Sequence, residues 1–405
     1  MDIDRPPQTK SYRALLGRLK EHPLARVGPG LITGVADDDP SGIATYSQAG
    51  AQFGLNMLWT MPLAFPLMAA VQAMCANLGR VTGKGLAADV AAMGEVAELV
   101  SGIDRHLMTA CFVFGTLLLQ VFVPYHRYVF FLKWLTVSLL AYAAVLFTVH
   151  VPWSEVALRT LWPHLTLNAN AAAVIVGVFG TTISPYLFFW QASEEVEEMQ
   201  ANGGSAALVN DAGAAPTELR RIRWDTWTGM FYSDVTAFFI ILATAVTLHV
   251  AGVTDITTAA QAASALRPLA GNFAYILFAL GILGVGLIGV PVLAGSGAYA
   301  LSEAMGWREG LERKVRDARG FYAIIAVSVL AALAIQYSPI SPMKALFWSA
   351  VINGVVAVPL MVVILILVSR KSVMGAFTAS RPLVVLGSIA TLVMGVAAVL
   401  MLLPS

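Results

Sequence analysis

The chain has 405 residues, of which 58% are hydrophobic and 12% are charged, and its formal net charge is +1. The charged share is about half of the roughly 25% that is usual for soluble domains, and the mean hydropathy is +0.74. This composition excludes an ordinary soluble protein, and it provides no basic surface for nucleic acid. It predicts an all-α polytopic membrane protein in contact with the lipid bilayer.

The distribution of apolar residues predicts a cytoplasmic tail at residues 1–26 and a single transmembrane domain over residues 27–405. The tail is rich in Lys and Arg and has no apolar core, so it does not resemble a cleaved signal peptide. Apolar segments long enough to cross hydrocarbon roughly 30 Å thick follow along the chain. The clearest are residues 56–79, 106–124, 133–151, 169–190, 227–250, 272–301, 321–336, 345–368 and 383–403.

The first apolar segment, from residue 27 to about residue 53, is interrupted by three acids and a proline. Asp37, Asp38 and Asp39 precede Pro40, which breaks a helix because it lacks an N–H and clashes with the preceding turn. Carboxylates within a membrane are costly unless they line a cavity or hold a cation. We therefore expect a broken helix with a cation site. Asp37 and Asp38 either form an acidic vestibule for cations or cap the break.

The predicted topology depends on a weakly hydrophobic segment at residues 85–103, which contains Asp89. If this segment crosses the membrane, most Lys and Arg residues outside the spans lie on the same side as the amino terminus. This distribution follows the positive-inside rule. An interfacial helix is the alternative, and it would reverse every later loop. We therefore expect about 11 transmembrane helices, a shortened third helix, and a multi-pass protein of the cell membrane with its amino terminus in the cytoplasm.

A second broken span is predicted at residues 169–190, where Thr181, Ser184 and Pro185 interrupt the apolar run. It comes five spans after the first broken span. This spacing is typical of transporters built from inverted repeats, with the substrate site at the repeat interface. The pattern predicts a LeuT-type fold with broken helices 1 and 6, and a transporter rather than an enzyme. A carrier of amino acids or other organic solutes is the alternative, although three acids at the break disfavour a substrate carboxylate.

These motifs resemble the Nramp (natural resistance-associated macrophage protein) family of divalent metal transporters over nearly the whole chain. The Gly-Pro-Gly run at residues 28–30 and the Asp-Pro pair at residues 39–40 are similar to its first-helix signature, in which an Asp-Pro-Gly-Asn run holds the metal. The resemblance implies that Asp39 is the metal carboxylate. Gly42 takes the place of the Asn, so the amide ligand is lost there.

The sixth helix of the family carries an Ala-x-x-Met-Pro-His pattern, with Ala and Met as metal ligands. Here Thr181 takes the Ala position, Ser184 the Met position and Tyr186 the His position. Oxygen ligands suit hard cations, whereas a thioether favours softer metals. The resemblance is therefore to the magnesium and manganese branch, with Mg²⁺ or Mn²⁺ as cargo and no resident cofactor. Asn353, in the tenth span, is either a further ligand or a polar residue of the core.

The resemblance also bears on proton coupling. Family members are thought to carry protons on acids of the third helix and histidines of the sixth. Asp89 matches one of these acids, while Tyr186 and Gln191 replace the histidines. We therefore expect gradient-driven uptake, without excluding a titrating Asp89.

Two cytoplasmic features follow the sixth span. Glu194, Glu195, Glu197 and Glu198 form either an exit funnel for the ion or, more commonly for such a run, a solvated helix end. Residues 199–224 include many Gly and Ala residues and predict a flexible loop. The sequence does not indicate an oligomeric state.

Overall fold

The computed structural model describes residues 29–82, 137–165, 168–201, 207–210, 212–311, 313–336 and 341–402. Every regular element within these ranges is helical, so the expected all-α class is confirmed. The main helices are α1 (Pro29–Asp37), α2 (Pro40–Phe53), α3 (Thr60–Thr82), α4 (Ala141–Val145), α5 (Trp153–Leu161), α6 (Ala169–Thr182), α7 (Pro185–Ala201), α8 (Ala215–Thr244), α9 (Ala259–Ser264), α10 (Ala274–Ala304), α11 (Arg319–Gln336), α12 (Pro342–Ser369) and α13 (Arg381–Leu402).

Two of the predicted spans are pairs of helices separated by a short break. The first break lies between α1 and α2, and the second lies between α6 and α7. In both pairs the second helix begins with a proline, Pro40 or Pro185. Proline suits this position because the first N–H of a helix has no partner within the helix. The breaks expected in helices 1 and 6 are therefore present.

Within the described residues, six helical segments are long and apolar enough to cross a membrane. Large apolar side chains on α12 and α13, such as Ile352, Val363 and Leu392, are exposed, as a lipid-facing surface requires. The count of 11 helices stays a prediction, because the expected spans at residues 85–103 and 106–124 lie outside the described residues. The six segments are Thr60–Val81, Ala169–Met199, Ala215–His249, Gly271–Ser302, Pro342–Ser369 and Arg381–Leu402.

The segment expected to be a flexible loop, residues 199–224, is partly helical. Helix α7 continues to Ala201, and α8 already begins at Ala215. A proline at the start of α8 and Glu218 in its first turn both favour a helix amino terminus. The loop prediction was therefore too long at both ends, whereas the tail at residues 1–26 lies outside the described residues.

Glycines allow α1, α2, α3, α7 and α8 to pack backbone against backbone. A Cβ atom added to Gly34 of α1 would lie 2.2 Å from the carbonyl oxygen of Gly229 in α8. A Cβ added to Gly79 of α3 would lie 2.1 Å from the carbonyl oxygen of Ala192 in α7. Small residues at such crossings let membrane helices approach closely. We call these five helices the broken-helix bundle.

Two further helices pack beside the breaks. Helix α12 crosses α6 so closely that a Cβ atom on Gly180 would lie 2.1 Å from the carbonyl oxygen of Ala350. Helix α10 packs against α11 through aromatic rings, with the centroids of Tyr299 and Phe321 4.8 Å apart. Helix α12 thus packs beside the second break, and α10 packs beside the first, where a Cβ atom on Gly289 would lie 3.3 Å from the Asp39 Cβ atom.

The close crossing of α1 and α8 yields a stability prediction. We expect Gly34→Ala to destabilise the protein by about 1–3 kcal/mol or more, because the added methyl group meets backbone atoms that cannot move independently. The matched control is Gly395→Ala in α13, where the new Cβ atom would lie 3.7 Å from a Val358 methyl group. The thermal midpoint of the purified protein should fall for Gly34→Ala only. Equal midpoints would contradict this account of the crossing.

Candidate metal site

Asp39 connects the two helix breaks. Its side chain lies between α1 and α2, and the residue is 1% exposed. One carboxylate oxygen, Oδ1, accepts a hydrogen bond from the Gly42 N–H at 2.8 Å and so caps α2. The other, Oδ2, accepts from the Tyr186 hydroxyl on α7 at 3.0 Å. One carboxylate is thus held by both broken helices.

Ser184 occupies the second break and contacts the end of α6. Its hydroxyl oxygen lies 2.5 Å from the Thr181 carbonyl oxygen and 2.7 Å from the Gly180 carbonyl oxygen. The last carbonyl groups of a helix have no partner within the helix, and they carry partial negative charge. Because the hydroxyl donates its one proton to these carbonyls, its lone pairs remain able to accept a cation. Ser184 thus adds a hydroxyl oxygen to a group of carbonyl oxygens.

The two breaks meet at Gly42. A Cβ atom at this position would lie 3.1 Å from the Asp37 carbonyl oxygen and 3.3 Å from the Thr181 hydroxyl oxygen. The Thr181 hydroxyl is buried and has no hydrogen-bond partner among the residues that the structure describes. On the opposite side, a Cβ atom on Gly289 of α10 would lie 3.3 Å from the Asp39 Cβ atom. The structure therefore brings Asp39, Gly42 and Thr181 together so closely that even a Cβ atom at residue 42 would be crowded.

Asp37 and Asp38 lie against α8 in this conformation. Both side chains are fully buried. The Ser233 hydroxyl is 2.5 Å from Oδ2 of Asp37 and 3.2 Å from Oδ1 of Asp38. In the described part of the chain, Oδ1 of Asp37 and Oδ2 of Asp38 have no hydrogen-bond partner. Asp39, rather than these two residues, caps the break. In this conformation they do not form a vestibule open to solvent, and their participation in ion or proton handling stays a prediction.

The negative charge at the breaks is not neutralised by a basic side chain in the described part of the chain. None of the ion pairs found there includes Asp37, Asp38 or Asp39. An ionised group in a low-dielectric interior costs several kcal/mol unless it is paired. The described residues also contain no cluster of three His, Cys, Asp or Glu side chains that could hold a metal. An ion at this site would therefore have one carboxylate, neutral oxygens and its own water as ligands.

For two further residues predicted from the sequence, Asn353 and Asp89, the described part of the structure gives no contact with the site. Asn353 is half-buried on α12, next to Gly354, whose added Cβ atom would lie 3.2 Å from the Gly180 Cα atom. Asn353 is thus close in sequence to the crossing with α6, and its role as a ligand stays a prediction. Asp89 lies outside the described residues.

A cavity of about 350 Å³ lies on the side of the membrane where α2 ends. Ala44 of α2, Asn170 at the start of α6 and Phe347 of α12 contribute to its walls, together with Gln48 and Thr254. Ala44 comes five residues after Asp39, which corresponds to about 7 Å along a helix. In the predicted orientation, the cavity approaches the break from outside the cell.

Two residues at the site were missed by the sequence analysis. Tyr186 was noted only as a replacement for a histidine, and Gly289 was not singled out. Tyr186 is 147 positions from the carboxylate that it contacts. A glycine in an apolar helix carries no local sign of the residue that it faces, so only the packing identifies Gly289.

Comparisons with known proteins agree with this architecture. The sequence model of the natural resistance-associated macrophage protein-like family matches residues 30–92 and 86–404. The divalent metal cation transporter MntH of Acidiphilium cryptum is 27% identical over 395 residues, which cover 85% of this chain and 88% of that protein. MntH of Klebsiella pneumoniae is 26% identical over 294 residues, covering 65% and 68% respectively.

Among solved structures, a manganese transporter of Eremococcus coleocola, crystallised with an aromatic bis-isothiourea substituted compound, has a TM-score of 0.66. Its sequence identity is 16%, and the match covers 98% of this chain and 88% of that one. At this identity the similarity shows the fold. The chain has the LeuT-type transporter fold that the two broken helices predicted.

Proposed function

Since the chain belongs to the Nramp (natural resistance-associated macrophage protein) family, we propose that it transports a divalent metal cation across the membrane by alternating access. The observation that carries this proposal is the buried Asp39 carboxylate, held at the meeting of two helix breaks without a basic partner among the described residues. The relatives named as divalent metal cation transporters, and the manganese transporter of similar fold, support a metal cargo.

The proposed ligands are oxygen atoms from both broken helices. Asp39 provides the negative charge, and Thr181 and Ser184 provide hydroxyl and carbonyl oxygens. Gly42 lets the two breaks approach each other closely, and the Asn353 amide completes the shell. Mg²⁺ releases its water reluctantly and is usually bound through one or two carboxylates, with several waters retained. A site with one carboxylate, neutral oxygens and no sulfur fits Mg²⁺ or Mn²⁺ better than a softer metal.

Transport of an amino acid or another organic acid is disfavoured by the same geometry. In LeuT-type carriers, the free amino end of a broken helix binds the substrate carboxylate. Here Asp39 itself accepts the hydrogen bond from the start of α2, at Gly42. A substrate carboxylate would meet a capped helix end and the buried acids beside it.

The role of Asp39 can be tested without removing the helix cap. Asp39→Asn retains a side-chain oxygen that can cap α2 but removes the charge. We expect the rate of Mg²⁺ or Mn²⁺ uptake into proteoliposomes to fall by about 100-fold, which corresponds to about 3 kcal/mol of lost interaction. Glu155→Gln, at an exposed carboxylate beside Arg159, is the matched control and should transport normally. Unchanged uptake by Asp39→Asn would refute the proposed site.

The contact of Ser184 with the ion can be tested through metal selectivity. Ser184→Met places a polarisable sulfur at the second break, so Cd²⁺ should compete more strongly with Mn²⁺ for uptake. We expect the concentration of Cd²⁺ that halves Mn²⁺ uptake to decrease by about tenfold, or about 1.4 kcal/mol. Ser184→Ala removes the hydroxyl without adding sulfur and should show no such gain. The same Cd²⁺ sensitivity in both variants would mean that residue 184 does not touch the ion.

A further inference from the structure

Helix α10 meets the broken-helix bundle through side chains, in contrast to the backbone crossings within the bundle. A Cβ atom on Gly295 would lie 3.1 Å from the Trp190 ring. Apolar side chains from α1, including Ile32 and Val35, join Ile288 and Val292 of α10 in one buried cluster. Apolar side-chain contacts lack the direction and the close approach of the glycine crossings. This interface is therefore the place where the bundle can separate from α10.

A polar contact crosses this interface at the end that the predicted orientation assigns to the cytoplasm. Glu197 of α7 accepts hydrogen bonds at Oε1 from the Tyr299 hydroxyl of α10 and, at 2.8 Å, from the N–H of Leu311. Tyr299 is 1% exposed and Leu311 is 5% exposed. Hydrogen bonds to a charged acceptor are about twice as strong as those between neutral groups.

The segment that follows α10 is shaped to reach this carboxylate. Gly310 has a φ angle of +130°, which a residue with a side chain rarely adopts. A Cβ atom there would also lie 2.9 Å from Oε1 of Glu197. On the other side, the Tyr322 hydroxyl of α11 lies 3.1 Å from the Leu311 carbonyl oxygen and 2.9 Å from that of Arg313. The segment is therefore hydrogen-bonded to α11 through Tyr322 and to α7 through Glu197.

The nearby ion pairs of α7 have a different arrangement. Arg221 of α8 contacts Glu195 at 2.6 Å and Glu198 at 3.1 Å, and both acids belong to α7. Arg80 of α3 contacts Glu218 of α8 at 3.3 Å. All these contacts join helices of the broken-helix bundle to each other. They can persist while the bundle moves as a unit, whereas the contacts of Glu197 cannot.

We propose that Glu197, Tyr299 and the Leu311 N–H form a latch that closes the cytoplasmic side of the ion path and must open before the ion can leave. The inference rests on the proposed transport function. Gly289, which lies beside Asp39, is followed along the same side of α10 by Ser296 and Tyr299. Tyr299 comes ten residues after Gly289, so the latch lies about 15 Å from the break along the helix. The cavity on the opposite side of the membrane approaches the same break.

The latch can be tested by thiol accessibility without any metal. Ser296 is fully buried between the break and the latch, so Ser296→Cys is the reporter, in a chain with Cys75→Ala and Cys111→Ala. A membrane-impermeant maleimide is applied from the cytoplasmic side of proteoliposomes. We expect Glu197→Gln and Tyr299→Phe each to raise the labelling rate by about tenfold, as loss of a hydrogen bond to a charged group implies.

The matched control is Glu198→Gln, which removes the same charge one residue along α7 but acts within the bundle. Its labelling rate should remain that of the parent. The double variant Glu197→Gln with Tyr299→Phe should label no faster than the faster single variant, because both changes break one contact. Labelling of the Glu197 and Tyr299 variants at the rate of the Glu198 control would overturn the proposal.

A second reporter separates opening from unfolding. Ala237 is fully buried within α8, so Ala237→Cys should stay unlabelled when only the latch opens. If Glu197→Gln also exposes Ala237→Cys, that variant is unfolding, and the proposal is then judged on Tyr299→Phe alone. Tyr299→Phe removes only the hydroxyl and keeps the ring that packs on Phe321. Failure of the proposed function would appear differently, as absence of metal uptake by the unmodified protein whatever the labelling shows.

Discussion

An acidic side chain buried at a helix break within the membrane is the constraint on which this structure depends. Lipid offers no hydrogen bonds, so every N–H and C=O group released by a break needs a partner from the protein or its ligand. Asp39 provides a partner for the start of α2, and Ser184 provides one for the end of α6. These contacts satisfy the backbone but leave a negative charge, which a bound cation would balance.

Glycine determines which parts of the molecule stay together. At Gly34, Gly79 and Gly180 the neighbouring backbone occupies the space of a side chain, so these crossings hold in one register. The contacts of α10 with the bundle are made by side chains around Gly289 and Gly295, where an added Cβ atom would still be more than 3 Å from its neighbours. The difference separates a rigid group of helices from a surface that can slide.

The sequence predicted the parts of this structure that depend on local chemistry. Pro40 and Pro185 mark the breaks because proline acts within one helical turn, and the long apolar runs mark spans. The partners of Asp39 could not be read in this way, because Tyr186 is far away in the chain and Gly289 has no distinguishing neighbours. The solvated helix end expected for the run of four glutamates was wrong for Glu194 and Glu195, because both side chains are buried. Long-range packing decides such cases.

Helix α7 links the candidate metal site to the opposite end of the bundle. Tyr186, in its first turn, donates a hydrogen bond to Asp39, and Glu197, near its last turn, accepts one from Tyr299. These two residues are 11 positions apart, or about 16 Å along a continuous helix. A cation at Oδ2 of Asp39 would compete with the Tyr186 hydroxyl for the same oxygen. If a bound cation replaced that hydrogen bond, a displacement of α7 along its axis would reach its contact with α10.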